Sequence, residues 1–277
     1  MTNPRQILEL HGIFPKKKLG QNFLHDPNAL QKIIDVADVR PDDTILEVGP
    51  GTGNLTKLLA ENARRVIAVE VDDRLVPVLR EQLAQNHNVE LHWMDFLDVD
   101  LPALVGDEPY KVVANLPYYI TSAILRKILD SERKPQSMTI MVQKQVAERL
   151  IATPNDMSLL TVSVQFYGSP KIMTTLKPPV FYPRPDVESS VVHMEIYGEP
   201  LVDIPDEATF FDVVRAGFGQ KRKQLKNSIA SGLRISNDET VHLLESAGID
   251  PKRRAETLTL EEWADITRVY KLIHART

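Results

Sequence analysis

Thr44-Ile45-Leu46-Glu47-Val48-Gly49-Pro50-Gly51-Thr52-Gly53 is the stretch on which the fold turns. Its first half is apolar and rich in β-branched residues, which predicts a buried parallel strand. A glycine turn follows at once, and Asn54, Leu55, Leu58 and Leu59 then carry a helical pattern. Strand, glycine turn, helix is the arrangement in which a backbone approaches a ligand so closely that no Cβ can intervene. The dinucleotide fingerprint has its glycines at G-x-G-x-x-G. Here they stand at 49, 51 and 53, and Asn54 takes the place of the last fingerprint glycine. The spacing argues against a pyrophosphate cofactor and leaves room for a nucleoside. A tight strand-to-helix turn without a ligand fits the same residues.

Further strand-like runs end on chemistry. Val66-Ile67-Ala68-Val69 leads to Glu70, where an acid can accept both hydroxyls of a ribose. Val89 to Met94 leads to Asp95, a carboxylate able to receive a hydrogen bond from an adenine amino group. Each acid also fits a plain surface residue at a strand end. Val112-Val113-Ala114 leads to Asn115-Leu116-Pro117-Tyr118. Asn115 is a neutral amide and can offer only hydrogen bonds, Pro117 fixes its own backbone angle, and Tyr118 offers a flat ring. Together they suit an exocyclic amine on a planar heterocycle. The order, glycine loop, acid, acid and amide turn after successive strands, favours a nucleoside-binding enzyme over chance.

The chain has 277 residues, enough for one large and one small domain, with 43% hydrophobic and 26% charged residues. Cysteine is absent, which excludes disulfides, thiolate metal sites and the covalent thiolate route to methylating carbon 5 of cytosine. The seven histidines are scattered without ligand spacing, so no metal is expected. With no long apolar run and a polar start, the chain is expected to be cytoplasmic, with no membrane span. A net charge of −5 and a pI near 5.8 count against bulk attraction to nucleic acid. Local clusters run the other way: Lys16-Lys17-Lys18, and Arg215 with Lys221, Arg222, Lys223 and Lys226. Each fits a solvated face or a set of phosphate contacts.

Residues 1 to about 28 look irregular. Alternating strand and helix patterns then run to about 150, which predicts a parallel sheet with helices on both faces. A helix is expected from Gln143 to before Pro154, and strands over Leu159–Phe166 and Ser189–Ile196. Between these strands, Pro178 to Pro185 cannot be helical, and its aromatics either brace the sheet or form a platform for a base. Past Gly198–Asp206 the pattern is helical, with one helix through Phe210–Val214, another through Leu225, Ile229 and Leu233, and a capping box at Thr259 and Glu262 before the last. The expected organisation is a Rossmann-like α/β domain over 1–200 and a small all-helical domain over 201–277, the latter a nucleic-acid clamp or a lid.

Several stretches carry a close resemblance. Lys18-Leu19-Gly20-Gln21-Asn22-Phe23-Leu24, Glu47 to Gly53, Asn115 to Tyr118, Phe181 to Ser189, and Gln220 to Ser228 resemble, nearly end to end, the signatures of the adenine N6,N6-dimethyltransferases of small-subunit ribosomal RNA, the KsgA family. The resemblance implies S-adenosyl-L-methionine as methyl donor and two adjacent dimethylated adenosines near the 3′ end of the rRNA as product. It implies small-subunit rRNA within a partly assembled 30S subunit as substrate, with the chain acting as a monomer. By position, Asn22 and Leu24 would close over the donor, Gly49 would line its methionine side, Glu70 would hold the ribose and Asp95 the adenine amino group. Asn115, with the Leu116 carbonyl, would face the target amine, Phe181 would stack on the target adenine opposite Tyr118, and Lys221, Arg222, Lys223 and Lys226 would touch RNA. One departure is the short loop Pro154-Asn155-Asp156-Met157-Ser158, where the family usually has a longer one before the strand expected at Leu160.

Other readings remain open at this stage. A large-subunit rRNA adenine N6-methyltransferase of the macrolide-resistance type shares the turn and the cofactor loop; the basic Gln220–Ser228 helix favours the small-subunit enzyme. A non-catalytic ribosome-assembly or transcription factor on the same fold is disfavoured by intact Glu70, Asp95 and Asn115. A small-molecule methyltransferase has no evident use for a basic helical domain.

Overall fold

The computed structural model describes residues 3–274; the side chain of Lys17, in the first basic cluster, and the terminal residues 1–2 and 275–277 of the two expected domains lie outside the described residues. The chain divides into two compact units. One is built from the stretch up to Ala147 together with Pro170–Ile196, the other from Glu148–Ser169 and the stretch from Tyr197 onward. The expected single cut near 200 therefore differs from the observed division, because the segment 148–169 packs with the helical unit.

The first unit is a seven-stranded sheet of β2 (Thr44–Val48), β3 (Arg65–Glu70), β4 (Val89–Trp93), β5 (Lys111–Asn115), β6 (Ser137–Gln143), β7 (Lys171–Leu176) and β9 (Ser189–Glu195). The order is β4-β3-β2-β5-β6-β9-β7. β2 to β6 are parallel, whereas β9 runs antiparallel to both β6 and β7, so the sheet is mixed rather than wholly parallel. All five residues of β2 are buried, as a central strand covered on both faces requires. The chain leaves β2 for β3 on one side and reaches β5 on the other. Their carboxyl ends therefore border the point where strand order reverses, which is where open α/β sheets bind ligands.

Around the sheet run α2 (Pro27–Ala37), α3 (Asn54–Asn62), α4 (Val76–Gln82), α5 (Leu101–Val105) and α6 (Thr121–Leu129). Leu30, Ile33 and Ile34 of α2 and Leu55 and Leu59 of α3 share a core with Ile45, Val66, Val113 and Val191 of the strands. The first residues, expected to be irregular, open with α1 (Pro4–Leu10): the Asn3 side chain caps it and Pro4 occupies the first helical position, where its missing N–H costs nothing. Ile7 and Leu8 of α1 pack with Phe23, Val78 and Leu79. A two-stranded ribbon joins β1 (Phe23–Leu24) antiparallel to β8 (Phe181–Tyr182), Leu24 opposite Phe181 and Phe23 opposite Tyr182.

After α7 (Lys144–Leu150), the stretch read as a strand at Leu159–Phe166 is helix α8 (Leu159–Gln165). Thr161, Val162 and Val164 favour strands only slightly. Against that, Ser158 and Thr161 form a reciprocal capping box, which satisfies the first free backbone N–H groups of a helix. The short loop before it is held by Asn155 N–H donating to the Glu256 carbonyl at 2.8 Å. Phe166 then stacks on Phe210 of α9 (Glu207–Phe218) with ring centroids 4.6 Å apart. α10 (Leu225–Leu233), α11 (Asn237–Ser246) and α12 (Leu260–His274) complete the helical unit. The Thr259–Glu262 box precedes α12: Glu262 N–H donates to Thr259 Oγ1 at 3.1 Å and Thr259 N–H to Glu262 Oε2 at 2.8 Å. A Cβ at Gly217 would overlap the buried Trp263 ring, so this helix crossing depends on glycine.

Candidate active site

A pocket opens at the carboxyl ends of the parallel strands. Each strand delivers one element of its wall: Gly49 and Gly51 after β2, Glu70 at the end of β3, Asp95 after β4, and Asn115 to Tyr118 from the end of β5. Residues 19–23 line the same pocket as a strap. The glycines permit its close approach. Gly51 has a φ of +59°, and a Cβ on it would lie 2.8 Å from the Phe23 ring. Gly20, at φ +60°, lies under the Tyr119 ring, which a Cβ would approach to 3.2 Å.

Glu70 is only 5% exposed. Its carboxylate accepts the backbone N–H of Gly51 at 3.1 Å and of Asp72 at 2.9 Å. Burial raises its pKa, and these backbone hydrogen bonds oppose the rise. Asp95 is exposed and accepts from Leu97 N–H at 2.9 Å, capping a single turn while standing in the pocket wall.

Asn115 is half-buried, and its Nδ2 donates to the Asn22 carbonyl at 3.0 Å. A carbonyl can only accept, so this bond fixes which end of the amide is nitrogen and turns Oδ1 elsewhere as an acceptor. Leu116 is buried, with its N–H bonded to the Met141 carbonyl at 3.0 Å, which anchors the turn to β6. The Tyr118 hydroxyl lies 2.5 Å from Ser189 Oγ, so the ring is held at its far end. Burial raises the pKa of that hydroxyl, the Ser189 contact opposing it.

Among the residues expected to form the site, Asn22, Gly49, Glu70, Asp95, Asn115, Leu116 and Tyr118 line this one pocket. Two expected residues do not. Leu24 is buried and faces a smaller cavity with Glu47 and Asn54, where Asn54 Nδ2 donates to its carbonyl at 3.3 Å. Phe181, expected as a stacking face for a base, is 2% exposed and sits in the core beside Leu24, Leu30 and Val191. Strand pairing of β8 with β1 turns it inward, whatever the flanking prolines do. The basic residues also differ in setting. Lys221, Arg222 and Lys223 are exposed in the turn between α9 and α10, and only Lys226 is on the helix. Arg215 pairs with Asp212 at 2.6 Å.

Sequence reasoning missed three features. Tyr119, 54% exposed, also lines the pocket, and its only signal was adjacency to Tyr118. Glu47 is fully buried, and burial raises its carboxyl to about 8, against the neighbouring Thr56 hydroxyl and with some help from the charge of Glu70. Asp72 bonds to Gln21 across 51 positions of sequence, a pairing that no local pattern encodes.

The family model for ribosomal RNA adenine dimethylase matches residues 14–272. A ribosomal RNA small subunit methyltransferase A of Dehalococcoides mccartyi is 45% identical, the alignment covering 98% of this chain and 93% of that one. The relative of the same name in Geobacillus kaustophilus is 42% identical over 95% and 93%. Among solved structures, the 23S rRNA methyltransferase ErmE superposes with a TM-score of 0.69 at 28% identity, over 90% of this chain and 99% of that one. A dimethyladenosine transferase from Plasmodium falciparum gives 0.72 at 22% identity over 88% and 95%, a likeness of fold. A strand-end pocket lined by a glycine-dependent strap and a tethered amide thus coincides with a match spanning nearly the whole sequence, and the chain belongs to the ribosomal RNA adenine dimethylase family.

Proposed function

We propose that this protein transfers methyl groups from S-adenosyl-L-methionine to N6 of two adjacent adenosines near the 3′ end of small-subunit rRNA, giving dimethyladenosines. It acts as a cytoplasmic monomer on rRNA within a partly assembled 30S subunit. The observation that carries this reading is the amide of Asn115, whose nitrogen is held by the Asn22 carbonyl so that its oxygen is left as an acceptor.

The residues present suit the donor. Gly49 and Gly51 bring backbone to the pocket without side chains, and acidic, amide and aromatic groups stand around the same opening. Glu70 would hold the ribose, Asp95 the adenine amino group, and Asn22 and Gly49 the methionine side. When bound, S-adenosylmethionine supplies a methyl group on a positively charged sulfur.

The chain has to improve a poor nucleophile. The lone pair of an adenine amino group is spread into its ring. Asn115 Oδ1 and the Leu116 carbonyl accept hydrogen bonds from that NH₂ and draw the lone pair out of the plane. Positive charge grows on nitrogen as its bond to carbon forms, so these dipoles stabilise the transition state more than the ground state. A carboxylate in place of the amide could not make the bond to the Asn22 carbonyl. The nitrogen then loses its proton to water, so no general base is required. The target adenine leaves its stack to reach the pocket. Tyr118 receives it, a contact of about 1–3 kcal/mol. Lys221, Arg222, Lys223 and Lys226 make phosphate contacts that bind the rRNA.

Incubating the protein with donor and methyl-free small subunits, followed by mass spectrometry of the rRNA, tests the reading. Two neighbouring N6,N6-dimethyladenosines near the 3′ end are expected. Transfer to large-subunit rRNA instead, or no transfer to either, would refute it.

A further inference from the structure

Asp72 is not among the described residues that line the pocket, yet it joins the pocket's two working ends. Its side chain is wholly buried. Its N–H donates to Glu70 Oε1 at 2.9 Å. Its carboxylate accepts Gln21 Nε2 at 2.8 Å and the fork of Arg74, Nε at 2.8 Å and the terminal nitrogen at 2.6 Å. Lys16 Nζ stands 3.5 Å away. Gln21 in turn accepts Lys16 N–H at 2.8 Å, and Arg74 reaches the Phe14 carbonyl at 3.2 Å. These contacts therefore hold the strap, whose next residue, Asn22, presents its carbonyl to Asn115. Burial opposes the charge of Asp72, but the Arg74 and Gln21 bonds outweigh it and bring the carboxyl down to about 2. The group is charged throughout the neutral range.

We propose that Gln21 and Asp72 are positioning residues that hold the strap so that the Asn22 carbonyl fixes the amide of Asn115 with its oxygen toward the reacting amine. This rests on the reading of Asn115 as the acceptor for that amine. The physical argument is the symmetry of an amide. Oxygen and nitrogen ends differ little in shape, and only a partner that cannot donate selects one orientation. With the strap free, the amide turns over and presents N–H to the substrate's N–H, donor against donor. Because the backbone N–H of Asp72 donates to Glu70, the group that would hold the ribose also braces the amide's anchor.

The test uses Gln21→Met, which keeps length and removes both bonds, and Asp72→Asn, which keeps shape and sets an NH₂ against the donors of Gln21, Arg74 and Lys16. Two readouts are taken on the full chain. In spectra of protein carrying ¹⁵N-asparagine, the Asn115 side-chain NH₂ signals (identified by their loss in Asn115→Ala) are expected to shift and exchange faster in both variants. At saturating donor and methyl-free subunits, kcat is expected to fall about tenfold, the size of one lost charge-assisted hydrogen bond, with the melting temperature retained in Gln21→Met and lowered in Asp72→Asn, where Arg74 loses its buried charge partner. In an Asn115→Ala background neither substitution should lower the rate further. Unchanged NH₂ signals, or a loss of rate that persists undiminished in that background, would overturn the proposal. If the NH₂ signals respond but the parent protein methylates no rRNA, the positioning stands and the functional reading falls.

Discussion

Tyr118 and Phe181 each lie beside or next but one to a proline, one at the mouth of a pocket and the other in the core. Tyr118 follows β5, a central strand of the sheet, and its ring is held by a hydroxyl contact to Ser189. Phe181 opens β8, whose only described pairing partner is β1, and that pairing turns the ring onto Leu24. Proline stiffness is common to both segments, so it does not decide which way a ring faces; hydrogen-bonded neighbours do. An aromatic near a proline faces the pocket here where its strand ends at the ligand side, and the core where strand pairing turns it inward.

That distinction can be broken by substitution. The largest effect is expected for Phe181→Ala, which removes a buried ring and should cost about 3–5 kcal/mol of stability in denaturant unfolding. A variant of normal stability would mean that the ring swings out and contributes little to the core. Tyr118→Ala should act the other way round, weakening kcat/KM by about 1–3 kcal/mol through lost stacking with a smaller change in unfolding. An unaltered kcat/KM would remove Tyr118 from the site.

A smaller effect sharpens a parallel contrast between carboxylates, since Glu70 has two backbone N–H partners whereas Glu47 Oε2 has none among the described residues. The folded protein holds Glu47 protonated up to about pH 8, while the unfolded chain ionises it near 4.5. The stability this confers is complete below pH 4.5 and is lost as pH rises to about 8. Glu47→Gln should therefore gain melting temperature relative to the parent across that interval, with little difference in acid. A gap that stayed constant with pH would show that Glu47 is already ionised in the fold.

Much of this arrangement was legible in the sequence. Period and composition marked β2, β3, β4 and β5, and each site residue read at a strand end came from a position where side chains must meet the ligand edge: Glu70, Asp95 and Asn115 share one pocket. The failures are of two physical kinds. At Leu159–Phe166 a β-branched run was overruled by a reciprocal cap at Ser158 and Thr161, a local force that propensity does not weigh. At Phe181 and Asp72 the deciding contacts join distant parts of the chain, Leu24 to Phe181 and Gln21 to Asp72, and no window of sequence contains both partners. The exposed Lys221–Lys223 turn was visible as charge but was placed on a helix, because the helix begins only at Leu225.

The central claim is that an amide oxygen, oriented by the Asn22 carbonyl, activates the target amine. Asn115→Ala tests it when donor binding by calorimetry and methyl transfer to methyl-free small subunits are measured on the same preparation. The account predicts a donor dissociation constant close to the parent's and a rate of transfer lower by about 10²–10³-fold, the loss typical of one transition-state hydrogen-bonding group. A variant that methylates at the parent's rate, or one whose lost activity is explained wholly by lost donor binding, would contradict it.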